Sequence, residues 1–169
     1  ENTTSMSNAS RVLENTDKLT QTVLQACHEN TVKTVIYTSS VVVIGRSSDA
    51  NRPLTEKDVN PFAESPYVLG KMQAEKFVAN FIQQHNYDIR RVYPSWAVGG
   101  NDPKLTPPHK VIKDFLEKGA PVYFDGGISI AAVEEIAKGH VLAYEKGKFG
   151  ETYILSGENI TFKKLYELL

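Results

Sequence analysis

The run Val32-Lys33-Thr34-Val35-Ile36-Tyr37-Thr38 is β-branched, lies between two stretches of helical periodicity and ends in the small hydroxyl residues Ser39 and Ser40. A strand entered from one helix and left toward another belongs in a parallel sheet, which delivers side chains to a site at the carboxyl ends of its strands. Before it, Val12, Leu13, Leu19, Val23, Leu24, Ala26 and Cys27 recur near helical spacing and predict a helix over 10–30. After it, Val41 to Ile44 offers a continuation of the strand until Gly45 and the polar run from Arg46 to Pro53 break it. Residues 1–10 are polar and aperiodic and are expected to form a flexible arm.

A second helix is predicted over 65–84, with Ser65 as N-cap and Pro66 at the first helical position. Ala74, Phe77, Val78, Phe81 and Ile82 make its apolar stripe, while Gln73, Glu75, Lys76, Gln83 and Gln84 are expected to face outward. Tyr87 to Tyr93 reads as a strand stopped by Pro94. The stretch from Trp96 to Pro108, with Gly99-Gly100 and prolines, reads as a binding loop. A helix over 108–118, a short strand Val122-Tyr123-Phe124, a helix over 131–146 with an internal Gly139, a strand Thr152 to Leu155 and a helix over 161–169 capped by Thr161 follow. This alternation predicts an α/β fold, a parallel sheet covered on both faces.

Tyr67 and Lys71 stand one helical turn apart, which puts phenol and ammonium on one face. A free phenol ionises near pH ~10, and a fixed cation beside it favours the phenolate. A hydroxyl such as that of Ser40, held opposite, would orient a carbonyl or alcohol oxygen for proton transfer. The spacing alone is weak, because any helix carries such a pair in solvent.

The other residues narrow the field. A hydrophobic fraction of 41%, a charged fraction of 23% and a net charge of −1 describe a globular domain without a basic footprint for nucleic acid, so the expected partner is a small molecule. The single cysteine, Cys27, sits among helix-pattern residues and is expected to be an inert thiol. His28, His85, His109 and His140 lack metal-ligand spacing, so no metal is expected. No apolar run approaches the roughly 18 residues of a membrane span, and the polar start is unlike a signal peptide; a cytoplasmic chain is the expectation. No Gly-x-Ser-x-Gly elbow of a hydrolase is present. Trp96 is either core or a pocket wall. Lys104 and His109 are either an exposed loop pair or contacts for an anionic substrate.

The order of these features resembles the extended short-chain dehydrogenase/reductase family, in its NAD-dependent epimerase/dehydratase and dihydroflavonol-reductase-like branch, from about Val12 to Leu169. The resemblance is carried by Tyr37-Thr38-Ser39-Ser40 with Gly45, Tyr67 to Glu75, Tyr93-Pro94-Ser95 with Val98-Gly99, Lys104 to Pro107, Ile136 to His140 and Gly150 to Asn159. It implies Tyr67 as acid/base, Lys71 as the ribose-binding cation that favours the phenolate, and Ser40 as the substrate-orienting hydroxyl. Thr38, Ser39, Pro94 and Ser95, with Tyr67 and Lys71, would line an NAD or NADP cofactor. The implied activity is that of an NAD(P)-dependent oxidoreductase or epimerase acting on a carbonyl or hydroxyl carbon; the alternative is a non-catalytic relative retained for binding.

The resemblance also implies a Rossmann-like sheet, with 11–169 as the later part of one NAD(P)-binding domain carrying part of a substrate region. The chain contains no Gly-x-Gly-x-x-Gly. That turn is expected before residue 1 and further pocket residues after Leu169, so the fold is expected to be incomplete at the N-terminus and shortened at the C-terminus. Gly70 stands where the family often has serine, Ile44 where many members have an aromatic, and Ile128 to Glu135 departs from the usual His-Val-Asp-Asp character. Family members often pair through the helices matching 10–30 and 65–84, which implies a homodimer with a four-helix interface.

Overall fold

The structure, a computed structural model, describes residues 9–49, 51–119, 122 and 125–169. They form two compact units, Glu1–Tyr93 with Leu142–Ile154, and Pro94–Val141 with Leu155–Leu169.

In the first unit, α1 (Ala9–Glu29) leads into β1 (Thr34–Thr38), and α2 (Pro66–His85) leads into β2 (Asp88–Pro94). β1 and β2 are parallel neighbours, with Thr34 opposite Asp88 and Thr38 opposite Val92, and β5 (Thr152–Leu155) completes the order β1-β2-β5. The first two strands are thus the expected parallel pair. α2 begins where the sequence predicts. Ser65 is extended (φ −152, ψ 160), its hydroxyl accepts from the Val68 amide, and Pro66 opens the helix. Asn86 ends it in the left-handed region (φ 46, ψ 52), its amide donating to the Ile82 carbonyl.

The α1–α2 contact is built on Leu24, Val78, Phe81, Tyr87 and Ile89, with Cys27 half-buried at its edge. Burying one such aliphatic side chain stabilises the fold by about 1.5–3 kcal/mol. Of the apolar positions that predict α1, Leu24 is buried, whereas Leu19 and Val23 are exposed. Ala9 and Ser10 already belong to α1, and the rest of the expected arm lies outside the described residues.

Two local expectations are corrected in this unit, and one residue is added. Val41–Val43 is a turn of 3₁₀ helix, not more strand, because the Ser40 side chain accepts from the Val42 amide and caps it. Glu75 does not face outward; it is half-buried against β2, bonded to Arg91 and Tyr93. Asp88, at the start of β2, is a buried acid that the pattern reading passed over: it accepts from Thr34 and Arg90, and from the Gly150 amide.

The second unit holds β3 (Trp96–Val98), α3 (Pro107–Lys118), β4 (Gly127–Ala132), β6 (Glu158–Thr161) and α5 (Phe162–Leu168), with α4 (Val133–Lys146) following β4. Its sheet runs β3-β4-β6, with β3 and β4 parallel and β4 and β6 antiparallel. The expected binding loop is therefore shorter, because Trp96–Val98 pairs with Ile130–Ala132. The helix expected from residue 131 starts at Val133, and the residues before it are strand. Ser129, Ala131 and their neighbours carry no alternation strong enough to announce it. Tyr123 and Phe124, most of the expected short strand, lie outside the described residues.

Gly157, at the turn between β5 and β6, donates its amide to the Ile130 carbonyl at 3.1 Å. A Cβ there would lie 2.5 Å from that oxygen and 3.2 Å from the Ala131 Cα, both backbone atoms that cannot rotate away. Gly157→Ala is therefore expected to destabilise the fold by about 1–3 kcal/mol. A urea midpoint equal to that of the wild type would contradict this close approach.

Candidate active site

β1 ends at Thr38, and the chain then turns sharply at Ser39 and Ser40. Ser39 is 5% exposed, and its amide donates to the Val92 carbonyl at 2.9 Å, which extends the β1–β2 ladder by one bond. Its hydroxyl is buried and has no partner among the described residues. Ser40 is half-buried, and its Oγ accepts from the Val42 amide at 3.3 Å. A hydroxyl that accepts in this way still has its own proton to donate.

α2 packs on the 3₁₀ turn that Ser40 caps. Met72 of α2 lies against Val43, Ile44 and Tyr93, so the turn and the helix share one apolar cluster. Lys71 of α2 donates to the Thr38 carbonyl at 3.5 Å, over the carboxyl end of β1. Burial pulls the Lys71 ammonium below its usual range, and the Glu75 carboxylate opposes that pull. Tyr67, in the first turn of α2, is 39% exposed. The structure thus brings Thr38, Ser39, Ser40 and Lys71 together around one strand end in the first unit, with Tyr67 one helical turn before Lys71 on α2. Pro94 and Ser95 belong to the second. There the Ser95 amide donates to Leu155 at 3.0 Å, and its buried hydroxyl has no partner among the described residues.

Sequence reading missed what lies one turn below Lys71. Glu75 Oε1 accepts from the Tyr93 hydroxyl at 2.6 Å and from Arg91 Nη1 at 3.0 Å. Burial first, then the charge of Glu75 and its hydrogen bond, push the Tyr93 phenol up. The available signal was Arg90-Arg91 inside an apolar strand, since two successive guanidiniums on opposite faces of a sheet each demand an acid. Asp88 and Glu75 supply them.

In the second unit, Asp102 organises the loop before α3. It accepts from the Thr106 hydroxyl and amide, from the Lys104 amide and from His109 Nδ1. Thr106 above all, then His109 and the Lys104 amide, pull the Asp102 carboxyl down to about 2. A carboxyl lowered in the fold contributes stability above its usual value near 3.8, and that contribution is lost as the pH falls toward 2. The Gly99 amide donates to His109 Nε2 at 3.0 Å, which leaves the ring proton on Nδ1, facing Asp102. His109 thus braces the loop from within, whereas Lys104 is exposed. His109→Leu removes the acceptor of the Gly99 amide, and hydrogen exchange at that amide is expected to accelerate about tenfold, the worth of one net hydrogen bond. Unchanged protection would refute the brace.

Among the described residues no helix is long and apolar enough to cross a membrane. Comparison with known families matches residues 1–156 to the NAD dependent epimerase/dehydratase family. A Synechocystis sp. protein named "Putative dihydroflavonol 4-reductase" is 33% identical over 150 residues, which cover 85% of this chain and 43% of the relative. The crystal structure of gox2253 superposes with a TM-score of 0.87 at 35% identity, covering 95% of this chain and 49% of that one. A UDP-N-acetylglucosamine 4-epimerase from Methanobrevibacter ruminantium, solved with UDP-N-acetylmuramic acid, gives a TM-score of 0.73 at 26% identity, covering 92% of this chain and 51% of that one. The chain spans about half the length of the curated relatives it matches.

Proposed function

The chain belongs to the NAD-dependent epimerase/dehydratase family, whose fold is Rossmann-like α/β, and on that premise we propose that it carries the proton-transfer side of an NAD(P)-dependent oxidoreductase or epimerase acting on a carbonyl or hydroxyl carbon. The observation that carries this reading is the Lys71 ammonium set over the Thr38 carbonyl, beside the turn that Ser40 caps.

Tyr67 gives a proton to, or takes one from, the substrate oxygen. Ser40, already accepting from the Val42 amide, donates its own proton to that oxygen and fixes its direction. Lys71 keeps a positive charge one turn from the phenol, which favours the phenolate whenever Tyr67 acts as base. When bound, a nicotinamide dinucleotide would supply or take the hydride. Thr38, Ser39, Tyr67 and Lys71 of the first unit are the residues that would hold it, while Pro94 and Ser95 of the second are proposed from the family resemblance alone. The first of these fit a polar ligand: the Ser39 hydroxyl is buried and without a partner among the described residues, and a buried unmatched hydroxyl costs about 1–3 kcal/mol until something satisfies it.

The chain has no Gly-x-Gly-x-x-Gly to cradle a pyrophosphate, so its own affinity for a dinucleotide is weak. Two measurements test the proposal. A screen of carbonyl compounds and sugar nucleotides for nicotinamide-dependent turnover, with the protein expressed from its whole gene, should find a substrate. Calorimetric titration of NADH and NADPH into residues 1–169 should give no micromolar binding. A folded protein without nicotinamide-dependent turnover on any of these compounds would favour the non-catalytic reading.

A further inference from the structure

Arg91 and Tyr93 flank Val92 on β2, and Val92 is the register partner of Thr38 on β1. Alternate residues of a strand point to one face, so Arg91 and Tyr93 both reach toward α2. Glu75 receives both, at 3.0 and 2.6 Å. One helical turn earlier, Lys71 reaches the carbonyl of Thr38 at 3.5 Å. α2 is thereby tied at successive turns to two adjacent strands: Lys71 to the end of β1, Glu75 to β2. Thr38, Val92, the Arg91–Tyr93 pair, Glu75 and Lys71 make a closed circuit.

A clamp made only of hydrogen bonds would not need a charge. The oxygen of a glutamine at this position could still accept from Tyr93 and Arg91, but without the charge that strengthens both bonds. Yet the side chain is a carboxylate, only 14% exposed, and its second oxygen is buried with no partner among the described residues. A buried charge with half its acceptor capacity unused is unfavourable unless the charge itself is needed. The groups that face it are Arg91 and the Tyr93 hydroxyl from β2 and the Lys71 ammonium from its own helix; from the 3₁₀ turn the neighbours around Tyr93 are apolar, Val43 and Ile44. Arg91 has a second contact, donating through Nη2 to the Gly150 carbonyl at 3.3 Å. Lys71 lies one turn away on the same face of α2, so the negative charge acts on Lys71 as well as on Arg91.

Resting on the reading of Lys71 given above, we propose that Glu75 is a positioning residue: it locks α2 onto β2 through Arg91 and Tyr93 and holds Lys71 as a fixed ammonium over the end of β1. It touches no substrate. Its effect passes through Lys71, which burial drives toward the neutral amine and the Glu75 charge pulls part of the way back.

The test reads Lys71 directly. The chain is acylated with a trace of acetic anhydride across an alkaline pH series, and labelling at Lys71 is quantified by mass spectrometry against Lys76, an exposed lysine of the same helix. Removing a nearby opposite charge moves a titration by about one unit, equivalent to a tenfold change in the amine fraction. Glu75→Gln should raise Lys71 labelling about tenfold at a fixed pH below its titration while Lys76 is unchanged. Because Glu75→Gln leaves Arg91 without its acid, Glu75→Leu with Arg91→Leu serves as a second variant that removes the pair together, and it should raise Lys71 labelling likewise. Labelling equal to the wild type in a folded variant would reduce Glu75 to a structural partner of Arg91 and overturn the proposal. The readout needs no turnover. A Lys71 response in a protein that reduces or epimerises nothing would therefore leave the positioning role standing and count against the proposed activity alone.

Discussion

In the protein expressed from its whole gene, Tyr67→Phe is expected to lower turnover by about 10²–10⁴-fold, the usual contribution of a positioned proton-transfer group, with cofactor affinity nearly unchanged. The substitution removes one oxygen and keeps the ring. Tyr67 is 39% exposed and lies in the first turn of α2, a turn held by the Ser65 cap and Pro66 rather than by the phenol, so the variant should fold as the wild type does. Lys71→Ala should behave differently. It removes the cation that favours phenolate and the contact with Thr38, so the pH optimum should move upward and cofactor binding should weaken as well. PH-rate profiles with cofactor dissociation constants for the parent and both variants separate the two roles. Full activity in Tyr67→Phe would make Tyr67 an ordinary helix residue and end the proposed mechanism.

What the sequence made legible follows from how local each signal is. Ser65-Pro66 specifies a helix start by itself, and Thr161 does the same for α5, where its hydroxyl accepts from the Lys164 amide at 3.0 Å. The β-branched run before Ser39 has one stable use, a buried parallel strand, and Thr34–Thr38 takes it. Other features depend on partners far along the chain. Val41–Val43 is apolar enough to be strand, but the hydroxyl of Ser40 captures the Val42 amide and turns the chain. Trp96–Val98 becomes strand because Ile130–Ala132 lies beside it, and Glu158–Thr161 because Gly127–Ile130 does. Nothing within those short segments announces the pairing.

The same distinction governs the site. Ser40, Tyr67 and Lys71 stand out by residue type and spacing. Glu75, by contrast, reads as one of several polar residues on a helix surface. Only the two strand arginines, each needing an acid, hint at its burial, and a pattern of hydrophobicity passes over them. Gly139 interrupts a helical pattern for a reason equally remote: its missing Cβ would lie 2.6 Å from Leu155 Cδ2.

Asp88→Ala is expected to lower the stability of the chain by about 3 kcal/mol, near the lower end of what breaking a buried ion pair costs. Asp88 is 9% exposed, and its Oδ2 accepts from Arg90 Nη2 at 2.8 Å and from the Thr34 hydroxyl at 3.0 Å. The bond to Thr34 joins β2 to β1 at the point where their register begins. Its other oxygen takes the Gly150 amide at 3.3 Å, next to β5. Deleting the carboxylate strands a guanidinium that is 14% exposed. Arg90 Nη1 keeps the carbonyls of Ala143 and Tyr144 in the last turns of α4, which is why the lower end of the range applies. The acid limb gives an independent check. Burial pushes the Asp88 carboxyl up, but Arg90, Thr34 and the Gly150 amide together outweigh it and hold the group below its usual 3.8. Its contribution is therefore complete above that value and disappears as the pH falls through the lowered one. Urea unfolding of the wild type should lose stability below about pH 4, the ordinary carboxylate range, and Asp88→Ala should start lower and lose less over the same interval. Equal midpoints at neutral pH, or parallel acid limbs, would mean that Arg90 finds its compensation in α4 alone and that Asp88 does not fasten β1 to β2.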